Sequence, residues 1–340
     1  MKTLIQRYFC LGLVLLLVWS CSEKWNGVDP NAVEDFEIKG LTLDNFPFMD
    51  CSTSTGPLRD MVMYNLLGIP YGWGMNVVTG SQYEIFFQLP EGMETGSDEH
   101  KAFAAKIRKL RQASGSHEAY VNLIDGATGV IIDSRDISRN EKNYAEEKHV
   151  MIETKPLAWD ALVFVVHPGN KVKSLTQDQI RKIYTGEITN WKMVGGDDLE
   201  IHAYTRNVDS GSQEKMETLV MEGLKMIDNP VYMGGAMLSP YLSIEMDPCG
   251  IGYTPYYFCE SMVRDLHDVR VIAVDGAYPT TETIMKAVNG EKGAYPYFSK
   301  IYAAIRADEP DNSLSRQIYK WLSTPKAKDI IDESGYISMR

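Results

Sequence analysis

Three segments of the sequence combine small hydroxyl residues with glycine in a way that suits anion binding. Each leads from a strand-like run into a helix, and they are residues 51–57 (CSTSTGP), 114–117 (SGSH) and 206–213 (RNVDSGSQ). A helix N-terminus presents unpaired backbone N–H groups and a partial positive charge, so it stabilises an anion without a cationic side chain. Each segment is therefore a candidate donor to one bound anion.

The third segment carries a further signal, because Arg206 precedes Ser210 and Ser212 by a few residues. A guanidinium group can donate a forked pair of hydrogen bonds to two oxygens of one anion. The alternative is ordinary helix capping, since Ser and Thr are good N-caps and Pro57 suits the first position of a helix. Any one of these segments alone indicates only ordinary helix capping, whereas the three together favour anion binding.

The residue pattern gives less support to catalysis or metal binding. The six histidines form neither the i, i+4 pair of zinc enzymes nor a metal-spaced pair with cysteine. A nucleophile elbow, a phosphate-binding Walker loop and a dinucleotide fingerprint are missing from the sequence. His117 follows Ser116 directly, but adjacent residues on a helix point in different directions. We therefore expect a binding protein without metal or cofactor, and not an enzyme.

The elements that position these residues alternate between strands and helices. Short apolar runs at residues 129–132, 161–166, 201–204, 251–253 and 269–274 alternate with helical patterns, which predicts an α/β fold with largely parallel sheets. Thr176 and Gln179 have capping-box spacing, and Gly186 is placed to end that helix. Ser210 and Gln213 have the same spacing at the start of a second helix.

The first residues predict export and a lipid anchor. Lys2 and Arg7 precede an apolar run, residues 9–18, that is too short for a transmembrane helix and ends before Cys21. We expect residues 1–20 to be a lipoprotein signal peptide, Cys21 to be lipidated and residues 21–35 to be a tether. The alternative is a cleaved secretory peptide with an incidental cysteine. Both place the protein outside the cytoplasm.

Chain length and net charge indicate the number of lobes and the classes of protein that can be excluded. Residues 21–340 exceed the roughly 250 to 300 residues at which one core stops growing, so two lobes are expected. Loss of a leader with two bases and no acid takes the formal net charge from −12 to −14, which disfavours nucleic-acid binding. Cys249 and Cys259 form a disulfide in one interpretation, and Cys51, Cys249 and Cys259 are buried thiols in the other.

One long segment makes the sequence resemble a known family. Residues 174–191 (SLTQDQIRKIYTGEITNW), followed by Gly195 and Gly196, are similar almost position by position to a segment of the phosphate-binding components of ABC transporters, in the type 2 periplasmic-binding-protein superfamily. Arg206 with Ser210-Gly211-Ser212-Gln213 resembles the anion loop of that family. Weaker similarities occur at residues 251–253, 275–276, 279–280 and 295–296.

The resemblance implies a two-lobed fold with the ligand in the cleft between the lobes. Lobe 1 would comprise residues 36–160 and 256–340, and lobe 2 residues 161–255. The protein would be a monomer that captures inorganic phosphate, or a related oxyanion, for the permease of an ABC importer, and would touch the membrane only through its anchor. The implied ligand residues are Thr53, Ser54, Thr55, Ser116, Ser134, Arg135, Asp136, Arg206, Ser210, Gly211 and Ser212.

The identity of the oxyanion depends on the residues that follow the strand at 129–132. The family places an acidic acceptor for the phosphate proton in a Ser-Asp pair, and here the corresponding residues are Asp133, Ser134, Arg135 and Asp136. Asp136 is the candidate acceptor, and Arg135 is a candidate ligand instead. The alternative functions are binding of a phosphonate or phosphate ester, a sensory receptor lobe, or a lipoprotein hydrolase.

Overall fold

A computed structural model describes residues 33–76, 78, 80–208, 210–227, 231–232, 237–263 and 265–339. The predicted signal peptide (residues 1–20), the lipidation site Cys21 and most of the predicted tether (residues 21–35) lie outside the described residues. Within the described ranges, helices that combine the length and the apolar character needed to cross a membrane are absent.

Twelve strands are formed by the described residues. They are β1 (Met49–Cys51), β2 (Tyr71–Met75), β3 (Tyr83–Phe87), β4 (Val130–Asp133), β5 (Ile152–Val166), β6 (Ser174–Leu175), β7 (His202–Thr205), β8 (Val231–Tyr232), β9 (Gly250–Pro255), β10 (Arg270–Val274), β11 (Phe298–Arg306) and β12 (Ile337–Ser338).

The α-helices alternate with these strands along most of the chain. They are α1 (Gly56–Leu67), α2 (Asp98–Leu110), α3 (Ser116–Ile124), α4 (Arg139–Glu147), α5 (Gln177–Tyr184), α6 (Gly211–Lys215), α7 (Ser239–Glu245), α8 (Thr281–Val288), α9 (Leu314–Trp321) and α10 (Pro325–Ser334). A 3-10 turn spans Trp191–Val194, and π-helical turns span Met216–Met221 and Phe258–Val263.

The long strand β5 joins two halves of one sheet. Residues 152–161 of β5 pair with β11, which continues through β4 to β1. Residues 162–166 pair with β9, which continues through β7 to β8. We call these the β1 half and the β8 half. The chain is thus a mixed α/β protein, and β5 crosses between the halves. The prediction of largely parallel sheets is wrong, because β5 pairs antiparallel with both β11 and β9.

The sequence-based lobe boundaries remain a prediction, and one strand disagrees with them. Residues 256–340 were assigned to lobe 1, but β10 pairs with residues 164–166 of β5 and with β6. The strand therefore lies in the β8 half, with the segment that the prediction assigned to lobe 2. Strand pairing, which the order of residues along the chain does not show, therefore places β10 in the β8 half although the next strand, β11, pairs in the β1 half.

One of the two predicted capping boxes is confirmed by the structure. Thr176 accepts a hydrogen bond from Gln179 N, and the Gln179 side chain accepts one from Thr176 N, which is the predicted capping box of α5. The same prediction for α6 is wrong. Ser210 caps Ser212 N instead, and the Gln213 side chain turns away to accept hydrogen bonds from Arg206 N and Tyr253 OH.

The three cysteines in the described ranges are free thiols. Cys51 and Cys259 are buried, whereas Cys249 is half-buried. Burial raises the pKa of Cys51 to about 12 and that of Cys259 to about 11. The predicted alternative of a disulfide between Cys249 and Cys259 is therefore not formed, and the two buried thiols act as small apolar side chains.

Candidate functional site

The first two candidate segments are held side by side by the start of the β1 half. Asp50, fully buried in β1, accepts a hydrogen bond from Ser114 N at 2.9 Å and another from the Asn122 side chain at 2.8 Å. Gly115 N donates to Cys51 O. Gly115 caps α3 with a φ of 92°, a backbone conformation that favours glycine. The carboxylate of Asp50 thus anchors the two segments beside each other, and they lead into the N-termini of α1 and α3.

The third segment approaches from the β8 half. Arg206 follows β7 directly, is 4% exposed, and has its backbone N–H held by the Gln213 side chain and Tyr253 OH, each at 3.1 Å. Ser210 then caps α6. The contacts that fix Arg206 come from α6 and β9, so the placement of the guanidinium depends on the packing of both elements.

The three segments and Ser134 surround one cavity of about 180 Å³. Eight of the eleven predicted ligand residues line it, and their side chains are mostly hydroxyls around one guanidinium. They are Thr53, Ser54, Ser116, Ser134, Arg206, Ser210, Gly211 and Ser212. That these residues bind a ligand remains a prediction, and their convergence on one cavity supports it.

The sequence interpretation missed part of the lining. Ser52, Ser114, Gly115, His117 and Asn207 belong to the three candidate segments, so the segments held the signal although these residues were not selected. Glu118 and Met237 complete the lining. Glu118 is exposed, whereas Arg206 and the hydroxyls of Ser54, Ser116 and Ser212 are buried.

Thr55, Arg135 and Asp136 do not line this cavity. The Thr55 hydroxyl is fully buried and donates to Ile132 O at 2.6 Å, so it ties the first segment to β4. The Asp136 carboxylate accepts a hydrogen bond from Ile137 N at 2.8 Å and lines a different cavity beside Tyr302. The predicted role of Asp136 as acceptor of a ligand proton is therefore not supported by its position.

Arg135 pairs with carboxylates and does not reach the cavity as a ligand. It donates to both oxygens of Glu141 at 2.8 and 2.6 Å, and its Nε lies 2.5 Å from Glu214 Oε2. Burial alone would lower the pKa of Arg135, but the hydrogen bonds to Glu141 and the nearby carboxylates raise it. The guanidinium stays charged and serves as a cross-link between α4 and α6.

One cluster away from the cavity contains metal-type ligands. His202, Asp247 and Cys249 place their polar atoms within 4.8 Å of one another. The Asp247 carboxylate already accepts hydrogen bonds from His202 at 2.7 Å, Tyr204 OH at 2.9 Å and Cys249 N at 2.9 Å. These contacts stabilise the turn before β9 and leave the carboxylate satisfied. Sequence spacing could not reveal this group, because it joins β7 to β9.

Comparisons with known proteins agree with this geometry. A model described as a PBP superfamily domain matches residues 78–325. A phosphate-binding protein PstS from Borreliella burgdorferi is 25% identical over 242 residues, which cover 67% of this chain and 78% of the relative. A protein of the same name from Staphylococcus haemolyticus is 29% identical over 231 residues, which cover 66% and 70%.

Solved structures give the same architecture. The fold is similar to an ABC-type phosphate transport receptor from Vibrio cholerae, with a TM-score of 0.56, 21% identity and coverage of 86% of this chain and 99% of that one. It is also similar to a Clostridium perfringens structure, assigned as a phosphate ABC transporter substrate-binding protein and solved with bound phosphate, with a TM-score of 0.58, 23% identity and coverage of 86% and 98%. The two-lobed α/β fold predicted from the sequence is confirmed.

Proposed function

The chain belongs to the PBP superfamily, and from that premise we propose that it captures inorganic phosphate outside the cytoplasm for an ABC importer. The observation that carries the proposal is the cavity at three helix N-termini, where hydroxyl donors and Arg206 converge. Backbone N–H groups and hydroxyls there can satisfy the oxygens of a tetrahedral anion. Relatives named phosphate-binding protein PstS support the same ligand.

The size of the cavity favours a small ion. Its volume of about 180 Å³ is below the roughly 300 to 1,000 Å³ of pockets that hold drug-sized molecules. A phosphate ester with a large organic group would extend out of the cleft. The volume therefore favours inorganic phosphate over phosphonates and esters with large organic groups, and phosphonates and phosphate esters remain the alternative ligands.

Delivery to a permease and attachment at the membrane complete the proposal. The importer role rests on the relatives and on the two-lobed fold, which can close around a ligand and open again. Lipidation of Cys21 remains a prediction from the sequence, as does the monomeric state. Together they describe a binding protein held at the outer face of a membrane, where it meets its permease.

Calorimetric titration of ligand-stripped protein with phosphate, sulfate and methylphosphonate tests the ligand. We expect phosphate to bind, and Arg206→Ala to bind it roughly tenfold to a hundredfold more weakly, the cost of a charge-assisted hydrogen bond of about 1.5 to 3 kcal/mol. Arg181→Ala is the matched control, because Arg181 pairs with Glu222 outside the cavity. An unchanged affinity in folded Arg206→Ala protein would mean that the cavity is not the anion site.

A further inference from the structure

The cluster of His202, Asp247 and Cys249 lies away from the anion cavity, where β7 meets the turn before β9. A ring nitrogen of His202, a carboxylate oxygen of Asp247 and the sulfur of Cys249 all lie within 4.8 Å of one another. Each of the three residues is partly exposed, so an ion in solvent can reach them without entering the core. Imidazole nitrogen, carboxylate oxygen and thiolate sulfur are the ligand types that zinc takes in proteins.

Backbone contacts fix the positions of the three residues. His202 pairs with Gly250 in the parallel ladder of β7 and β9, and His202 N donates a hydrogen bond to Cys249 O at 3.0 Å. Cys249 O also accepts a hydrogen bond from the Trp191 indole at 2.9 Å. The Asp247 carboxylate in turn accepts one from Cys249 N at 2.9 Å. Strand pairing and these contacts therefore bring the ligand atoms together in the folded chain, so a metal ion has little left to order.

The hydrogen bonds of the Asp247 carboxylate are compatible with a metal ion beside it. Its Oδ2 lies 2.7 Å from His202 Nδ1 and accepts a hydrogen bond from Tyr204 OH at 2.9 Å, while its Oδ1 accepts the one from Cys249 N. A metal ion between the imidazole and Oδ2 replaces only the hydrogen of the first contact. Two ligand atoms on tetrahedral zinc lie about 3.3 Å apart, so the two groups need to separate by roughly half an ångström. The other two hydrogen bonds remain and orient the carboxylate.

We propose that His202, Asp247 and Cys249 form a zinc site that is separate from the anion cavity. A sulfur and an imidazole ligand favour zinc over magnesium or calcium, which prefer oxygen ligands. Cys249 is a free thiol, and it loses its proton to solvent as the zinc–sulfur bond forms, without an oxidant or a reductant. Water completes the tetrahedron, because the side chain of His202 is 39% exposed and leaves the ion open to solvent.

Zinc at this position connects the first residue of β7 to the turn that leads into β9. The anion cavity lies beyond the other end of β7, where Arg206 follows the last residue of the strand. The zinc ligands and the residues that line the anion cavity are different side chains. Zinc binding therefore stabilises the folded chain by mass action and does not depend on which anion the cavity takes.

The test is calorimetric titration of the whole chain with zinc chloride in a phosphate-free buffer, after metal ions are removed with EDTA and the thiols are reduced. We expect zinc to bind with a dissociation constant in the micromolar range or tighter, and to raise the midpoint of thermal unfolding until EDTA is added. Cobalt(II) as a probe should give a thiolate-to-cobalt charge-transfer band, which reports the sulfur ligand directly. Magnesium chloride should bind far more weakly than zinc.

Four substitutions assign the binding to these residues. Cys249→Ser and His202→Gln should each weaken zinc binding at least roughly a hundredfold, and Cys249→Ser should also remove the charge-transfer band of cobalt. Tyr204→Phe keeps all three ligands but removes one hydrogen bond to Asp247, so it should weaken zinc binding roughly tenfold. His167→Gln is the matched control, because His167 directly follows β5 and is not part of the cluster, and it should bind zinc as the parent does.

The outcomes separate this inference from the proposed function. A parent chain that binds zinc no more tightly than magnesium would overturn the zinc site, and so would parent-like zinc affinity in folded Cys249→Ser and His202→Gln. Loss of zinc binding in His167→Gln would place the ion elsewhere and overturn it too. None of these results depends on phosphate, whose binding is measured separately with Arg206→Ala.

Discussion

Gly211 determines how closely the third segment approaches the other two. A Cβ atom built on Gly211 would lie 2.5 Å from Ser134 Oγ and 2.8 Å from Ser116 Oγ. Both distances are shorter than real Cβ contacts, so any side chain would push the segment away from the β1 half. The position requires glycine because of close approach, and its φ is not in the left-handed region.

Gly211→Ala should therefore weaken phosphate binding roughly fivefold to 150-fold, which corresponds to the cost of about 1 to 3 kcal/mol for overpacking a close contact. The added methyl group occupies the space between the two hydroxyls and prevents the cleft from closing fully. Isothermal titration gives the affinity. Gly56→Ala is the control, because a Cβ on Gly56, at the start of α1, has no atom within 4 Å. Equal affinities for both variants would contradict a closed cleft at Gly211.

One buried arginine links the secondary-structure elements that position the first two candidate segments. Arg59 on α1 is 1% exposed and donates to Met49 O of β1 at 2.9 Å and to Gln112 O at 2.8 Å. It also donates to Arg111 O and pairs with Asp60. The carbonyls of residues 111 and 112 lie just before Ser114. Arg59 thus fixes the chain that leads into the second segment relative to β1 and α1.

Replacing Arg59 should destabilise the protein. We expect Arg59→Met to lower the free energy of unfolding by about 3 to 5 kcal/mol, because it leaves three carbonyls without their buried donor and Asp60 with Arg111 as its remaining charged partner. Urea unfolding followed by circular dichroism measures this change. Arg108→Met on the exposed face of α2 is the control and should stay within about 0.5 kcal/mol of the parent. Equal losses in both variants would show that the buried network contributes nothing specific.

For the whole molecule, α6 connects the two halves of the sheet through consecutive side chains of opposite charge. Glu214 lies 2.5 Å from Arg135, which follows β4 in the β1 half. Lys215 lies 3.5 Å from Asp160, within the part of β5 that pairs with β11. Both residues follow the anion segment Ser210-Gly211-Ser212 after one intervening residue, Gln213. These two ion pairs therefore tie the anion segment to the β1 half.

Glu214→Gln should open the cleft more readily without touching the cavity. We expect phosphate affinity to fall roughly threefold to tenfold, mainly through faster dissociation, because the partly buried pair with Arg135 is lost while Glu141 keeps Arg135 paired. Stopped-flow dissociation measures the rate. Glu222→Gln removes an exposed ion pair with Arg181 that does not join the halves. An equal effect of the two substitutions would argue against a link across the cleft.

The sequence by itself determined the features whose causes are local. The capping box of Thr176 and Gln179 was predicted because both partners lie within one turn. The three helix N-termini were predicted because hydroxyl and glycine residues at a strand-to-helix junction are typical of the start of a helix, where an anion can bind. Arg206 was predicted because it lies close to the third of these helix starts. The alternation of apolar runs with helical patterns predicted the α/β class, and the chain length and then the family resemblance predicted the two lobes.

Only the tertiary structure decided which side chains face the cavity. Successive residues at a strand end point to opposite sides, so a shift of one position separates Ser134, which lines the cavity, from Asp133 behind it. Arg135 turns to Glu141 and Glu214 because α4 and α6 pack beside it, and Gln213 turns to Arg206 and Tyr253. These partners are distant in sequence or reached from another element, and their proximity follows from packing that spacing along the chain does not encode.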